Sequence, residues 1–170
     1  MRTNLAFGVA AAVFAVAPLC AQVSPPAETS VKVNGKTLKV NYSAPSMRGR
    51  KIFGGLEPYG RVWRAGADAA TAFHTDADLD INGLSVPRGD YTLFVYLDAK
   101  QWQLVVSKAT GEWGLDYDQG RDLGRAQMDM SKPPAPIERY KMTLSSLGGN
   151  KAKLELAWES TVASVTITVK

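Results

Sequence analysis

The chain has 170 residues and a formal net charge of +4, with one histidine and one cysteine. So mild a positive charge gives little support to nucleic-acid binding, and a single histidine excludes a two-histidine metal site built from this chain alone. The length suits one domain that is stabilised by its own hydrophobic core.

The N-terminus has the pattern of a secretory signal peptide. Arg2 precedes an apolar run from Leu5 to Leu19, and the junction Cys20-Ala21 follows. We therefore predict that residues 1–21 are removed and that the mature protein is periplasmic or secreted. A lipoprotein signal ending at Cys20 is the rival, but such signals usually place a residue smaller than leucine before the cysteine. No later apolar run approaches the roughly 20 residues that a membrane-spanning helix needs.

After a predicted linker at residues 22–30, the sequence indicates a β-hairpin. Apolar and polar residues alternate from Val31 to Val33 and again from Leu38 to Tyr42, with Asn34-Gly35 between the two runs. Both turn residues tolerate the positive φ of a type I′ turn, so this pattern is the strongest short-range hairpin signal.

The same alternation recurs along the rest of the chain. A run from Thr71 to Ile81 leads into a second Asn-Gly turn, and Tyr91–Leu97 is apolar on both faces, as expected for a central strand. Roughly nine or ten short strands joined by Gly and Pro turns predict an all-β fold. We expect a single-domain antiparallel β-sandwich over residues 31–170, either jelly-roll-like or immunoglobulin-like.

Potential metal ligands occupy alternate positions of one predicted strand: His74, Asp76, Asp78 and Asp80. Alternate residues share one face of a strand, and the spacing resembles the start of a calcium loop. However, Ile81 stands where that loop needs glycine, and Pro87 stands where it needs glutamate. The favoured interpretation is that the acids face water and discourage edge-to-edge pairing, so no metal and no cofactor is predicted.

A second group of acids, Asp116, Asp118 and Asp122, lies in a loop-like aromatic stretch. Glycoside hydrolysis requires a pair of carboxylates, so a glycan-directed hydrolase is an alternative function. Turn chemistry explains the same residues more simply. Neither a serine nucleophile elbow nor a reactive cysteine accompanies the histidine, and no catalytic residue is predicted.

The segment MRGRKIFGGLEPYGRVWRAG, residues 47–66, combines arginines with aromatic residues and glycines. Planar bidentate donors beside aromatic faces suit carboxylates, phosphates or sugar acids. The predicted ligand-binding residues are Arg48, Arg50, Tyr59, Arg61, Trp63 and Arg64. In the structural alternative, the arginines stack on the aromatic rings and pair with Glu57 and Asp68, and so clamp a long loop onto the sandwich.

Several blocks of the chain resemble one family. They are Tyr42-Ser-Ala-Pro45, the segments from Arg48 to Gly54 and from Pro58 to Ala67, Gly89-Asp-Tyr91 and Trp113-Gly114. This pattern resembles the exported bacterial proteins catalogued as domain of unknown function 2911, over nearly the whole mature chain. The resemblance implies export and marks the arginine and aromatic block as the family's signature, but it brings no established activity.

These observations favour a binding module for an anionic or carbohydrate ligand that acts through the arginine and aromatic loop. A glycan-directed hydrolase, and a structural envelope subunit in which the loop only clamps the fold, are the alternatives. The expected partner is a small anionic or carbohydrate ligand, with no nucleic acid and no transmembrane segment.

Overall fold

The structure is a computed structural model that describes residues 23–111 and 113–170. The predicted signal peptide, residues 1–21, lies outside the described residues. Within the described range, no helix is long and apolar enough to cross a membrane. The elements are β1 (Pro26–Val33), β2 (Lys36–Ser43), β3 (Arg61–Trp63), β4 (Thr71–Thr75), β5 (Leu79–Ile81), β6 (Leu84–Val86), β7 (Gly89–Leu97), β8 (Gln103–Ser107), a 3-10 turn (Gln119–Arg121), β9 (Asp122–Gln127), β10 (Asp129–Ser131), β11 (Ile137–Gly148), β12 (Lys151–Glu159) and β13 (Thr161–Val169).

Two antiparallel sheets form the two layers of a β-sandwich. The first sheet has the order β1-β2-β4-β7-β8-β9, with β3 also paired to β7. The second has the order β11-β12-β13-β5-β6, with β10 paired to β13. The hydrophobic core lies between the sheets, and Trp158, Tyr140 and Phe73 are among its largest fully buried side chains. The prediction of an all-β sandwich is confirmed.

The first hairpin forms as predicted, but its first strand begins earlier. Val33 pairs with Lys36 across a turn in which Asn34 and Gly35 have φ values of 50° and 75°. β1 starts at Pro26, so residues 26–30 of the predicted linker belong to the sheet. A proline has no N–H to donate. β1 tolerates Pro26 because β1 is an edge strand, and its outer edge needs no donor.

The run from Thr71 to Ile81 is two strands rather than one. β4 lies in the first sheet and β5 in the second, so the chain crosses between the layers. A local turn makes the crossing: the Thr75 hydroxyl donates to the Ala77 carbonyl oxygen at 2.8 Å and accepts from the Ala77 N–H at 3.2 Å. Such crossings and several three-residue strands explain why the described chain has thirteen strands instead of nine or ten.

Residues of the opposite layer supply hydrogen-bond acceptors to the free edge of β11. The Tyr140 N–H donates to the Pro45 carbonyl oxygen at 2.8 Å, and the Leu144 N–H donates to the Thr29 hydroxyl at 2.9 Å. Between them, the Met142 N–H donates to the Tyr42 hydroxyl at 3.0 Å in a buried environment. These bonds tie the two sheets together along one side and satisfy an edge that would otherwise be exposed.

We predict that Tyr42→Phe lowers the free energy of unfolding by about 1–3 kcal/mol, because the buried Met142 N–H loses its acceptor. Tyr59→Phe is the matched control, since Tyr59 is 44% exposed, and it should leave stability unchanged. Urea denaturation of both variants measures the difference. Equal stability of the two variants would show that the Tyr42 hydroxyl does not tie the sheets together.

Candidate functional site

The loop between β2 and β3 carries most of the predicted site, and a carboxylate from a distant turn holds its middle. Glu159, the last residue of β12, accepts the Ile52 N–H at 3.0 Å and the Phe53 N–H at 3.3 Å. Ile52 and Phe53 are buried, and their side chains belong to the hydrophobic core. Hydrogen bonds to an ionised acceptor are about twice as strong as neutral ones, which fixes the loop at this point.

Trp63 lies in an aromatic cluster of the core. Its ring centroid is 5.6 Å from that of Phe53, 5.1 Å from Tyr140 and 5.9 Å from Trp158, with the last pair stacked at 21°. Only 3% of Trp63 is exposed. The Trp63 ring is therefore buried in the core rather than exposed as a surface stacking face, because apolar burial outweighs its position in an arginine-rich segment.

Three of the predicted arginines, Arg48, Arg50 and Arg64, line one cavity of about 280 Å³, here named the arginine cavity. Glu57, Leu56 and Trp158 also line it. The loop between β2 and β3 supplies Arg48, Arg50, Leu56 and Glu57. Arg64 directly follows β3, and Trp158 belongs to β12. The fold therefore brings three arginines to one cavity in whose described lining Glu57 is the only acid, whereas the Glu138 carboxylate accepts the Arg48 N–H at 2.9 Å beside it.

Backbone oxygen atoms hold the guanidinium group of Arg50. Arg50 Nε donates to the Met47 carbonyl oxygen and Arg50 Nη2 to the Ser46 carbonyl oxygen, both at 2.9 Å. Among the described residues, no ion pair within 4.0 Å involves Arg50 or Arg64. The acid Asp68, offered as a clamp partner, instead accepts the Ser24 N–H at 3.2 Å.

The other two predicted residues lie outside the arginine cavity's lining. Arg61 is exposed at the start of β3, where it pairs with Leu97 of β7. Tyr59 is also exposed, and its ring covers Gly54, where a Cβ would lie 2.6 Å from the Tyr59 ring. Glycine is required at Gly54 both for this contact and for its φ of 74°.

Glu57 has a pKa above its ordinary value of 4.5. Burial of the half-exposed side chain raises the pKa, and the nearby Arg64 guanidinium partly opposes that effect. A carboxyl group with a raised pKa is neutral over a wider pH range, and it then donates a hydrogen bond instead of repelling an anion.

A second, smaller cavity of about 120 Å³, here named the aromatic cavity, adjoins the first. Glu57 and Arg64 line both cavities. The remaining walls of the aromatic cavity include Val62, Trp63, Phe94, Leu115 and Tyr117. Sequence reasoning missed Phe94, Leu115 and Tyr117, because a central strand and a distant loop supply them and no local pattern connects them to the arginines.

The alternating acids are satisfied by the protein itself. His74 Nδ1 lies 2.7 Å from Asp90 Oδ1 and His74 Nε2 lies 3.0 Å from Asp76 Oδ1. Asp78 accepts the Arg88 N–H and Asp80 the Gly83 N–H, each at 2.8 Å. In the part of the chain that the structure describes, no group of three acidic, histidine or cysteine side chains is arranged to hold a metal ion.

The acids considered for hydrolysis contribute mostly to turns and to a local network. Asp118 caps the 3-10 turn by accepting the Gly120 N–H at 2.8 Å. Asp122 accepts the Tyr117 hydroxyl at 2.7 Å and lies 3.5 Å from the Arg125 guanidinium. Asp116 is exposed in the preceding turn. These contacts follow the turn chemistry that the sequence favoured.

Comparison with known proteins agrees with the resemblance. A family model described as a protein of unknown function, DUF2911, matches residues 24–167. The chain belongs to this family. No curated protein and no solved structure matches it. In this DUF2911 protein the matched range includes both sheets apart from the last two residues of β13, both cavities and the whole arginine and aromatic block.

We predict that His74 titrates above its ordinary pKa of 6.5, because hydrogen bonds to Asp90 and then to Asp76 favour the imidazolium. Its contribution to stability should be present below pH 6.5 and lost as the pH rises through the folded-state pKa. Proton NMR titration reads this directly, since the chain has one histidine.

Asp90→Asn should lower the pKa of His74 more than Asp76→Asn does, since Asp90 makes the larger contribution. Asp129→Asn, at an exposed acid on β10, is the control and should leave the pKa unchanged. A titration midpoint at or below 6.5 that neither Asp90→Asn nor Asp76→Asn alters would contradict the paired geometry.

Proposed function

We propose that this DUF2911 protein is a binding module for a small ligand that carries a carboxylate or phosphate group, acidic sugars included. The anionic group binds in the arginine cavity, where Arg48, Arg50 and Arg64 act as donors. The observation that supports this most strongly is the convergence of three guanidinium groups on one cavity of about 280 Å³. Guanidinium groups bind carboxylates and phosphates through paired N–H donors, and their charge persists at all physiological pH values.

The contacts of the loop favour binding over a purely structural role for the arginines. The Glu159 carboxylate and the aromatic cluster hold the loop on the sandwich, and neither uses a guanidinium group. Arg64 lies beside Glu57 without forming an ion pair within 4.0 Å, so its charge remains available to a ligand.

We place this binding outside the cytoplasm, in the periplasm or after secretion. The sequence of residues 1–21 supports this. A positive charge, an apolar run and a small-residue junction follow one another there, as is typical of a secretory signal peptide. An exported binding module meets small acids and acidic sugars in the medium or envelope, which suits a cavity of this size.

The test is isothermal titration calorimetry with phosphate, acetate and glucuronate, which separates the possible sources of the anionic group. We expect at least one of them to bind, and Arg48→Gln and Arg64→Gln each to weaken that binding by about tenfold or more, because a charge-assisted hydrogen bond is lost. Binding should also weaken as salt concentration rises.

Arg61→Gln is the matched control, because it removes the same charge from the same segment at an exposed residue outside the lining of the arginine cavity. Its affinity should equal that of the wild type. The proposal is overturned if none of the three anions binds, or if Arg61→Gln weakens binding as much as Arg64→Gln does.

A further inference from the structure

The arginine cavity and the aromatic cavity share a wall. Glu57 and Arg64 line both of them, so the Arg64 side chain lies at their junction. The turn at Gly114 presses directly against this side chain: a Cβ at residue 114 would lie 2.7 Å from Arg64 Cδ. Glycine at this position therefore lets the loop that carries Leu115 close over the junction.

Two residues that line the aromatic cavity each have a buried side-chain N–H donor without an acceptor among the described residues. These donors are Trp63 Nε1 and Arg64 Nε. Trp63 is 97% buried, as its 3% exposure shows, and it lines the aromatic cavity. Buried donors normally find a partner, and a donor without one is destabilising, so the pair favours a ligand that brings an acceptor atom.

The aromatic cavity differs from the arginine cavity in its chemistry. Apart from the shared residues, its walls are mostly aliphatic and aromatic, with Phe94 and Tyr117 in edge-to-face contact at 5.1 Å. Its volume of about 120 Å³ is close to the size of an apolar cavity that takes up benzene, about 150 Å³. A six-membered ring or a branched alkyl group of similar size suits it.

We propose that the ligand is an amphipathic organic acid, an inference that rests on the proposed function of the arginine cavity. Its carboxylate lies among the three arginines, an acceptor oxygen reaches the buried Arg64 Nε at the junction, and a compact apolar group fills the aromatic cavity. Small inorganic anions use only the first of these contacts. The aromatic cavity therefore determines which acids are bound tightly.

The test compares acetate with phenylacetate by isothermal titration calorimetry on the mature protein. Phenylacetate should bind about tenfold more tightly or better, because its ring leaves water for an apolar cavity. Val62→Phe places a larger side chain in the aromatic cavity and should bring the affinity ratio of the two acids close to one. Leu115→Ala removes an exposed wall residue without a folding risk and should lower the ratio several-fold.

Leu147→Ala is the matched control, because Leu147 is an exposed leucine in β11, distant in sequence from both cavities and outside their linings, and it should keep the wild-type ratio. Equal affinity of acetate and phenylacetate in the wild type overturns this inference but leaves the proposed function standing. The inference is also overturned if Leu115→Ala and Leu147→Ala change the affinity ratio of the two acids equally. Failure of phosphate, acetate and glucuronate alike to bind defeats the proposed function itself.

Discussion

The candidate site depends on the bonds between one carboxylate and the backbone of a long loop. Glu159 accepts two consecutive N–H groups, and these lie 106 and 107 positions earlier in the chain. The same loop presents Phe53 to Trp63 and Trp158, so polar and aromatic contacts converge on one place. Together with the Met47 N–H bond to the Glu138 carbonyl oxygen and the Gly60 N–H bond to the Leu97 carbonyl oxygen, both at 2.8 Å, this attachment fixes the path of the segment from β2 to β3.

The loop is attached to the sandwich mainly by contacts other than the Arg64 guanidinium group. The loop is fixed by a carboxylate on backbone donors and by rings in the core, whereas the guanidinium groups line the arginine cavity. Arg50 adds local bonds to carbonyl oxygens that orient its side chain. Burial raises the pKa of Glu57, the acidic residue in the described lining of the arginine cavity, and the nearby Arg64 guanidinium opposes that effect. Structural and binding roles are therefore assigned to different residues of one loop.

Local patterns predicted the parts of the fold that local physics determines. The Asn34-Gly35 turn and the central strand β7 follow from positive φ values and from continuous apolar character. The crossing between β4 and β5 was missed because the alternation of apolar residues is the same whether a strand continues or changes sheet. In the site, local sequence did not show that Arg64 lines the arginine cavity whereas Arg61 does not, or that Trp63 is buried. These differences arise from contacts with β11, β12 and the loop before β9. No local pattern indicated the role of Glu159 as an acceptor, because its hydrogen-bond partners are distant in sequence.

The most direct test of this account is the free energy of unfolding of Glu159→Gln and Arg64→Gln, measured by urea denaturation without added anions. Glu159→Gln should lose about 1.5–3 kcal/mol, because an ionised acceptor of two backbone donors is replaced by an amide. Arg64→Gln should lose less than about 1 kcal/mol, since its guanidinium group forms no ion pair within 4.0 Å among the described residues. If Arg64→Gln proves the more destabilised of the two, the arginines are the clamp and the account is wrong.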